Sequence, residues 1–371
     1  MLSVPPGLAT ILRGEPVRWR DLNVTRDEFF ALCDPEDLRG LVFSRLTATG
    51  FAEDWPAEIR EELAMSARED TAREMLRSEE IAAVLDALNG GGVRPIVFKG
   101  TALAYTVYDT PIARARLDTD LLIGTADERA ARAAFEGRGY AAPPYCAELF
   151  SQFQMERTDE YGIRHIFDVH SSISTQPVFA DVLTYQEMLP RTVPVAALGL
   201  AAVAPCARDA LLLACIHPVM HHQNANSVQW TYDTHLLASR LTPDDFHDFV
   251  RHAKEKRVAA VCALQLRLTQ TLFETAVPAD VLAALSTVTD EPSADYLASQ
   301  RRWHHELASS VRALPRAGDR IRLLRGVLLP SPSYMLGAYG LRGKPLGLWL
   351  LPALYMHRNV SGAWKILMGK K

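Results

Sequence analysis

Apolar positions follow a helical spacing towards both ends of the chain and a strand-like spacing between them. Over residues 69–88 they recur at helical intervals, and Asn89 with the three glycines after it is typical of a helix terminus. Short apolar or alternating runs then predict three strands, at 93–98, 118–123 and 164–170. Helices are also predicted as short segments within the first 75 residues, at 102–108, and from 127 to about 137.

Beyond about residue 205 the spacing is almost wholly helical. Helices are predicted at 207–222, 228–239, 243–255 and 258–273, and Pro278 opens another, since proline suits a first helical turn. This succession of elements predicts an α+β fold built on a small mixed sheet. The predicted regions are a helical N-terminal region at 1–75, a sheet-containing core at 76–204, and a larger all-helical domain with a basic tail at 205–371.

Charge is distributed unevenly along the chain. Nearly half of the 371 residues are apolar and the net charge is −4, which is typical of a folded protein. After Asp319 the sequence contains no acidic residue and nine basic ones: Arg320, Arg322, Arg325, Arg342, Lys344, Arg358, Lys365, Lys370 and Lys371. Such an end favours an anionic partner, either a membrane surface, nucleic acid or an acidic protein. A solvated basic surface against the protein's own acidic body remains an equal alternative.

The longest apolar run in this basic end is PLGLWLLPALYM at 345–356, which is interrupted by Pro352. It is shorter than the roughly 18–20 residues that a membrane-spanning helix needs. We expect it to be buried. A weaker alternative is an interfacial membrane contact, because Trp349, Tyr355 and Trp364 lie among the basic residues.

The five cysteines are widely spaced and form no Cys-x-x-Cys pair: Cys33, Cys146, Cys206, Cys215 and Cys262. This pattern argues against a disulfide framework and against a cysteine zinc site. No basic segment followed by an apolar run opens the sequence, so no signal peptide is expected. The predicted location is the cytoplasm, with peripheral membrane association as the alternative.

The candidate chemistry begins with two aspartates separated by one residue. Because side chains alternate along a strand, Asp118 and Asp120 are expected to share a face, and Asp168 on another predicted strand can join them. Clustered carboxylates repel one another unless a cation lies between them. Mg²⁺ prefers carboxylate oxygens together with substrate phosphates, so these three residues are the predicted metal ligands, with Mg²⁺ or Mn²⁺ as the ion.

A second motif is the turn Lys99-Gly100-Thr101 after the first predicted strand. A glycine there lets the backbone approach a ligand, and the N-terminus of the next helix offers free N–H groups to phosphate. Thr101 adds a hydroxyl and Lys99 a positive charge. Considered alone, Lys99 would be interpreted as a surface lysine at the end of a strand.

These motifs resemble the polymerase-β-like nucleotidyltransferase superfamily, and within it the uncharacterised bacterial nucleotidyltransferase family. The resemblance rests on Phe98-Lys99-Gly100-Thr101, on Arg114 four residues before Asp118, on Asp118-Thr119-Asp120-Leu121-Leu122-Ile123, and on Asp168-Val169-His170. It continues into the helical half, through residues 212–222, Trp230 and Asp233. Two residues depart from the family pattern: Thr119 replaces an apolar residue, and Ser171 replaces an aromatic one, which affects the expected substrate pocket.

The resemblance implies a role for each motif. Asp118 and Asp120 would bind the metal and the nucleotide phosphates, while Asp168 would bind a second metal and help to deprotonate the acceptor hydroxyl. Gly100 and Thr101 would hold the β- and γ-phosphates. Lys99 or Arg114 would neutralise charge as pyrophosphate leaves.

Histidines in the helical half offer a further candidate site. His217 and His221 are four residues apart, a spacing that can bind zinc, but no third ligand is evident. The favoured interpretation is a polar helix face that lines a cleft and is satisfied by Asp233. As cleft residues, His217, His221, Asp233 and His170 would lie near the substrate.

The predicted function is a metal-dependent transfer of a nucleoside monophosphate from a nucleoside triphosphate to an acceptor hydroxyl. A small molecule or a protein is favoured as the acceptor over nucleic acid, because the basic content of the core is modest and a long nucleic acid would need an extended cationic groove. The cationic C-terminal region keeps nucleic acid open as an acceptor. Two alternatives stay open. One is a nucleotide- or partner-binding protein without turnover, and the other is an enzyme that transfers a different phosphoryl group at the same site.

Overall fold

The structure is a computed structural model, and it describes residues 6–51, 54–143, 151–222, 225, 227–288, 290–297, 303–314, 316–341, 344 and 347–367. Cys146, Arg342, Pro345, Lys370 and Lys371 therefore lie outside the described residues, as does the side chain of Lys365. The chain divides into two compact units. The first consists of Met1–Thr175 and Phe179–Glu291, and the second of Gln176–Val178 and Pro292–Lys371.

The first unit begins with helices, as predicted: α1 (Pro6–Arg13), α2 (Trp19–Leu22), α3 (Arg26–Cys33) and α4 (Arg39–Thr49). Helix α3 begins with a capping box, in which Thr25 and Glu28 satisfy each other's backbone N–H groups. The helix predicted at 69–88 is longer than expected: α5 runs over Ala57–Gly90. The predicted boundary at residue 75 falls inside this helix.

A four-stranded mixed sheet follows, formed by β1 (Ile96–Phe98), β2 (Thr119–Leu122), β3 (Gln152–Thr158) and β4 (Arg164–His170). The strand order is β1-β2-β4-β3, with β2 and β4 parallel and the other pairs antiparallel. The three predicted strands are confirmed, and β3 was missed. Its sequence, QFQMERT, alternates apolar with polar residues at its start, but glutamine, glutamate and arginine hid this short signal.

Helices α6 (Lys99–Thr106) and α7 (Glu128–Gly137) connect these strands. Apolar side chains of α5 and α7 pack with strand residues into one buried cluster, which includes Val84, Leu85, Phe135, Leu121 and Val169. This packing uses one face of β2 and β4, and their other face carries the polar residues Asp120, Asp168 and His170. After β4 come two short helices, α8 (Pro177–Ala180) and α9 (Tyr185–Met188), and a two-stranded sheet of β5 (Val193–Pro194) and β6 (Val203–Ala204).

The helices predicted after residue 205 are confirmed to within one residue: α10 (Ala207–His221), α11 (Val228–Ala238), α12 (Pro243–Glu255), α13 (Ala259–Phe273) and α14 (Ala279–Ser286). Pro278 lies immediately before α14. Together with the small mixed sheet, these helices confirm the predicted α+β class.

The second unit is helical, with α15 (Trp303–Ala313), α16 (Ala317–Leu328), α17 (Pro332–Ala338) and α18 (Gly347–Leu367). The prediction that 345–356 is buried was wrong, because Leu348, Trp349 and Met356 are 65%, 85% and 67% exposed. Trp349 and Met356 point away from the face of α18 whose polar groups bind backbone carbonyls of residues 327–330. In the part of the chain that the structure describes, no helix has the length and apolar character to cross a membrane.

Candidate functional site: two charged clusters in one cavity

A cavity of about 560 Å³ lies in the first unit. Its wall is formed by the β1–α6 turn, by the polar face of β2 and β4, and by the facing helices α10 and α11. Most of the residues singled out in the sequence line it: Lys99, Gly100, Arg114, Asp118, Asp120, Asp168, His170, His217, His221 and Asp233. Thr101 does not line this cavity. Tertiary packing thus brings residues from distant parts of the sequence to one place.

The parallel pairing of β2 and β4 brings the acidic residues together. In their register Asp120 lies opposite Asp168, and Leu122 opposite His170. Asp120, Asp168 and His170 each offer one ligand atom, and these atoms all lie within 4.8 Å of one another. We call these three residues, with Asp118 and Lys99, the acidic cluster.

Lys99 is held in the acidic cluster by an unusual backbone. Its φ of 53° is left-handed, a conformation that favours glycine, whereas Gly100 beside it has no positive φ. The ammonium Nζ lies 2.7 Å from Asp120 Oδ1 and 3.5 Å from His170 Nε2. With its side chain only 14% exposed, Lys99 is an internal counter-charge rather than a surface lysine.

The surroundings shift the pKa of each acid in a different direction. Burial, with Asp120 and Asp168 nearby, raises the pKa of Asp118 to about 6. For Asp120, burial alone would raise the pKa, but Lys99 and the hydrogen bond from His170 (Nε2 to Oδ1, 2.9 Å) hold it well below its usual range. Burial and Lys99 lower the pKa of His170. The cluster therefore keeps Asp120 ionised while Asp118 holds its proton more readily.

Asp168 is oriented by two glutamines that the sequence did not reveal as site residues. Gln154 Nε2 donates to Asp168 Oδ1 at 2.9 Å, and Gln152 Nε2 donates to Oδ2 at 3.2 Å. Both side chains come from β3, whose alternation puts residues 152 and 154 on one face. The two glutamines in QFQ would have been found had that alternation been interpreted as a strand.

The donor set of the acidic cluster fits a divalent cation. Two carboxylates and an imidazole converge, and both carboxylates have oxygens with further lone pairs. The three aspartates carry more negative charge than Lys99 alone can balance, so an added cation would relieve their repulsion. Asp118 lines the same cavity but is not part of the group whose ligand atoms lie within 4.8 Å.

Gly100 and Thr101 differ in what they face. Gly100 lines the cavity, and a Cβ there would lie 3.7 Å from the guanidinium of Arg114, an ordinary contact distance. Thr101 is 1% exposed. Its hydroxyl donates to the Asp118 carbonyl at 3.3 Å and lies 3.4 Å from Thr119 Oγ1. Through these bonds Thr101 supports the backbone that carries the first aspartate.

The second charged group, the arginine cluster, consists of Arg114, Asp233, Gln229 and Tyr108. Arg114 donates to Asp233 through Nε (2.8 Å) and Nη2 (2.8 Å), and to Gln229 Oε1 through Nη1 (2.7 Å). Tyr108 donates to the same carboxylate at 2.7 Å. These residues are at least 90% buried and join the core to α11 across 119 residues of sequence. The expectation that Asp233 satisfies the histidines was wrong, because its oxygens are bound by Arg114 and Tyr108.

The histidines form an aromatic part of the cavity wall. His222 stacks on Trp230 with ring centroids 4.1 Å apart, and His217 meets the same indole edge-on at 5.3 Å. His221 Nε2 lies 3.3 Å from the carbonyl oxygen of Ile173. Burial and Lys99 lower the pKa of His217, whose buried Nδ1 has no hydrogen-bond partner. Among the described residues, the histidine pair gains no third ligand of the kind that a zinc site needs.

Comparison with known proteins bears on what this cavity does. A family model described as uncharacterised nucleotidyltransferase matches residues 23–274. The matched region contains both charged clusters and the histidine-lined wall. No curated protein sequence matches the chain. Because the family match covers more than half of the 371 residues, this chain belongs to the uncharacterised nucleotidyltransferase family.

Proposed function

We propose that the protein is a Mg²⁺- or Mn²⁺-dependent nucleotidyltransferase that moves a nucleoside monophosphate from a nucleoside triphosphate to an acceptor hydroxyl, releasing pyrophosphate. One observation carries the proposal. In a member of a nucleotidyltransferase family, parallel strands place Asp120 beside Asp168 in a cavity large enough for a small substrate. Converging carboxylates without enough compensating charge do not stabilise a fold, but they can bind the metal ions that phosphoryl transfer uses.

Asp120, Asp168 and Asp118 are the residues that would hold the divalent cation, with His170 close enough to act as a further ligand. When bound, such an ion neutralises charge on the phosphates and acidifies the attacking hydroxyl. The carboxylate of Asp168, fixed by Gln152 and Gln154, is the base for the hydroxyl proton. A base held this firmly needs little reorganisation during the reaction.

In the transfer, a bond forms between the acceptor oxygen and the α-phosphorus, and the bond from that phosphorus to the bridging oxygen of pyrophosphate breaks. The hydroxyl proton passes to Asp168. Lys99 supplies positive charge at the cavity wall, and the N–H groups at the start of α6, next to Gly100, offer donors to the phosphates. Arg114 has five N–H groups, of which four are already directed at neighbours, so one remains for the leaving group.

The cavity favours a small molecule or a protein side chain as the acceptor. Glu36 and Asp37 lie in its wall, and these carboxylates would repel the backbone of a long nucleic acid. The aromatic wall of His222 and Trp230 offers a flat surface for a planar group of one of the substrates.

The test is incubation of the purified protein, with Mg²⁺ or Mn²⁺ and a cell extract, with each nucleoside triphosphate labelled either at the α- or at the γ-phosphate. Transfer of the α-label alone supports nucleotidyl transfer, whereas transfer of the γ-label alone identifies a kinase. The matched control is Asp118→Asn/Asp120→Asn, which should transfer neither label. No transfer, together with metal-dependent nucleotide binding by calorimetry, would instead identify a binding protein.

A further inference from the structure

Helix α18 in the second unit exposes apolar side chains where a helix on a protein surface normally carries polar ones. Trp349, Met356, Val360 and Trp364 are 85%, 67%, 63% and 61% exposed, and Ala353 between them is exposed as well. Their spacings of three and four residues place them on one face of the helix. We call these five residues the tryptophan stripe. By the rise of an α-helix it is about 22 Å long, with an indole at each end.

The opposite face of α18 is already used within the second unit. Tyr355 donates to the carbonyl of Pro330 at 2.5 Å, Arg358 to that of Val327 at 2.7 Å, and Asn359 to that of Leu328 at 3.0 Å. These donors cap the C-terminal end of α16, whose last carbonyls lack helical partners. They fix the rotation of α18, so the tryptophan stripe is held outward.

The part of the sequence that contains the stripe is cationic. From Arg320 onwards the sequence contains nine basic residues and no aspartate or glutamate. Arg320, Arg322 and Arg325 on α16 are exposed, beside the exposed apolar side chains Ile321 and Leu328 of the same helix. Lys344, just before α18, is exposed too. The same part of the second unit therefore presents both apolar and positively charged groups.

We propose that the tryptophan stripe docks the second unit onto the surface of an anionic lipid bilayer. The helix lies in the plane of the interface, with its apolar side chains among the acyl-chain ends and the basic residues at the headgroups. Tryptophan favours this interface because its ring is apolar and its N–H is polar. The polar face that binds residues 327–330 stays with the protein, so the helix lies on the bilayer and does not cross it.

Electrostatics favours an anionic bilayer over a second copy of the chain as the partner of the tryptophan stripe. Pairing two stripes would bring two sets of like charges together with no carboxylate side chain from residues 320–371 to balance them. Anionic lipids supply that balance at the same surface. Nucleic acid would satisfy the basic residues but would leave the row of exposed apolar side chains in water.

The test is sedimentation of the full-length protein with phosphatidylcholine vesicles, with and without about 30% phosphatidylglycerol, an anionic lipid that adds charge attraction at the surface. The protein should bind the anionic vesicles and bind the neutral ones far less. Added salt should weaken its binding to the anionic vesicles. Trp349→Glu/Met356→Glu should lower the partition coefficient about tenfold or more, since it places charge in the apolar contact. Arg325→Gln/Lys344→Gln should lower it about fivefold per residue.

The matched control is Met65→Glu/Leu200→Glu, which changes exposed apolar side chains of the first unit and should bind like the wild type. An equal loss in this control would overturn the proposal, as would a wild-type protein that stays in solution with anionic vesicles. A concentration-dependent dimer that Trp349→Glu/Met356→Glu dissociates, without vesicle binding, would assign the stripe to a second copy of the chain instead.

Discussion

The acidic cluster and the arginine cluster lie in the wall of the same cavity and both are charged, yet they are built differently. In the arginine cluster one cation meets one anion, and two further donors of Arg114 are bound by Gln229 and by the Ala115 carbonyl. In the acidic cluster three carboxylates share the single ammonium of Lys99, and Asp120 and Asp168, which line the cavity, each offer a ligand atom for a cation.

This difference separates a group that holds the fold together from one that is available to a ligand. A buried ion pair with all its partners present is costly to break, because removing one member leaves the other charged and unsolvated. A cluster of like charges gains stability from losing a member, so its presence indicates a use other than stability. Four predictions test this distinction.

The largest effect on stability is expected for Asp233→Ala in the arginine cluster. The substitution leaves the buried guanidinium of Arg114 without its anion and should lower the free energy of unfolding by about 3–5 kcal/mol. Urea denaturation followed by circular dichroism measures this. The control Arg114→Met/Asp233→Leu removes both charges and should recover most of the loss. If it unfolds as easily as Asp233→Ala, the unpaired charge is not the cause.

Asp168→Asn should show the reverse behaviour. Transferase activity should fall about a thousandfold, since the substitution removes a ligand and the base together. The free energy of unfolding should change by less than about 1 kcal/mol, because a repelling charge is lost and an amide still accepts a bond from Gln154. Rates of label transfer and urea titrations measure both. Asp244→Asn, on an exposed carboxylate, should change neither; a destabilised but active Asp168→Asn protein would reverse the assignment of the two clusters.

The acidic cluster should also bind cations in a pH-dependent way. Burial and the neighbouring aspartates raise the pKa of Asp118 to about 6, so below that pH protons occupy the carboxylate and compete with the metal. The dissociation constant for Mn²⁺ should therefore rise about tenfold between about pH 7 and about pH 5, as one competing proton requires. Calorimetry measures it. Asp118→Asn should bind weakly with little pH dependence, and an unchanged dependence would exclude Asp118 as the competing group.

The smallest effect concerns the backbone of Lys99. Because its φ is left-handed, Lys99→Gly should be more stable than Lys99→Ala by about 1 kcal/mol, although both lose the bond to Asp120. Both should lose transferase activity. Thermal unfolding of the two variants gives the comparison directly. Equal stability would mean that the left-handed backbone at residue 99 imposes no free-energy cost on a residue with a side chain.

Much of the fold could be predicted because burial imposes a local period on the sequence. The strand at Arg164–His170 and the helices from Ala207 to Phe273 follow their apolar spacing to within one residue. The strand Gln152–Thr158 was missed because its polar face serves the site, and site residues need not follow the composition of a strand. The segment before Met356 was misjudged because apolar character indicates a preference for burial and not the presence of a partner to provide it.

The sequence by itself determined the α+β class, the boundaries of the helices between Ala207 and Phe273, and most of the residues that could carry chemistry, including Asp118, Asp120 and Asp168. Only the tertiary structure decided how they pair: Lys99 with Asp120, Arg114 with Asp233, and Asp168 with the glutamines of β3. The reason is physical. Periodicity records which side of a helix or strand faces the interior, but the partner of a buried charge depends on strand register and helix packing over a hundred or more residues.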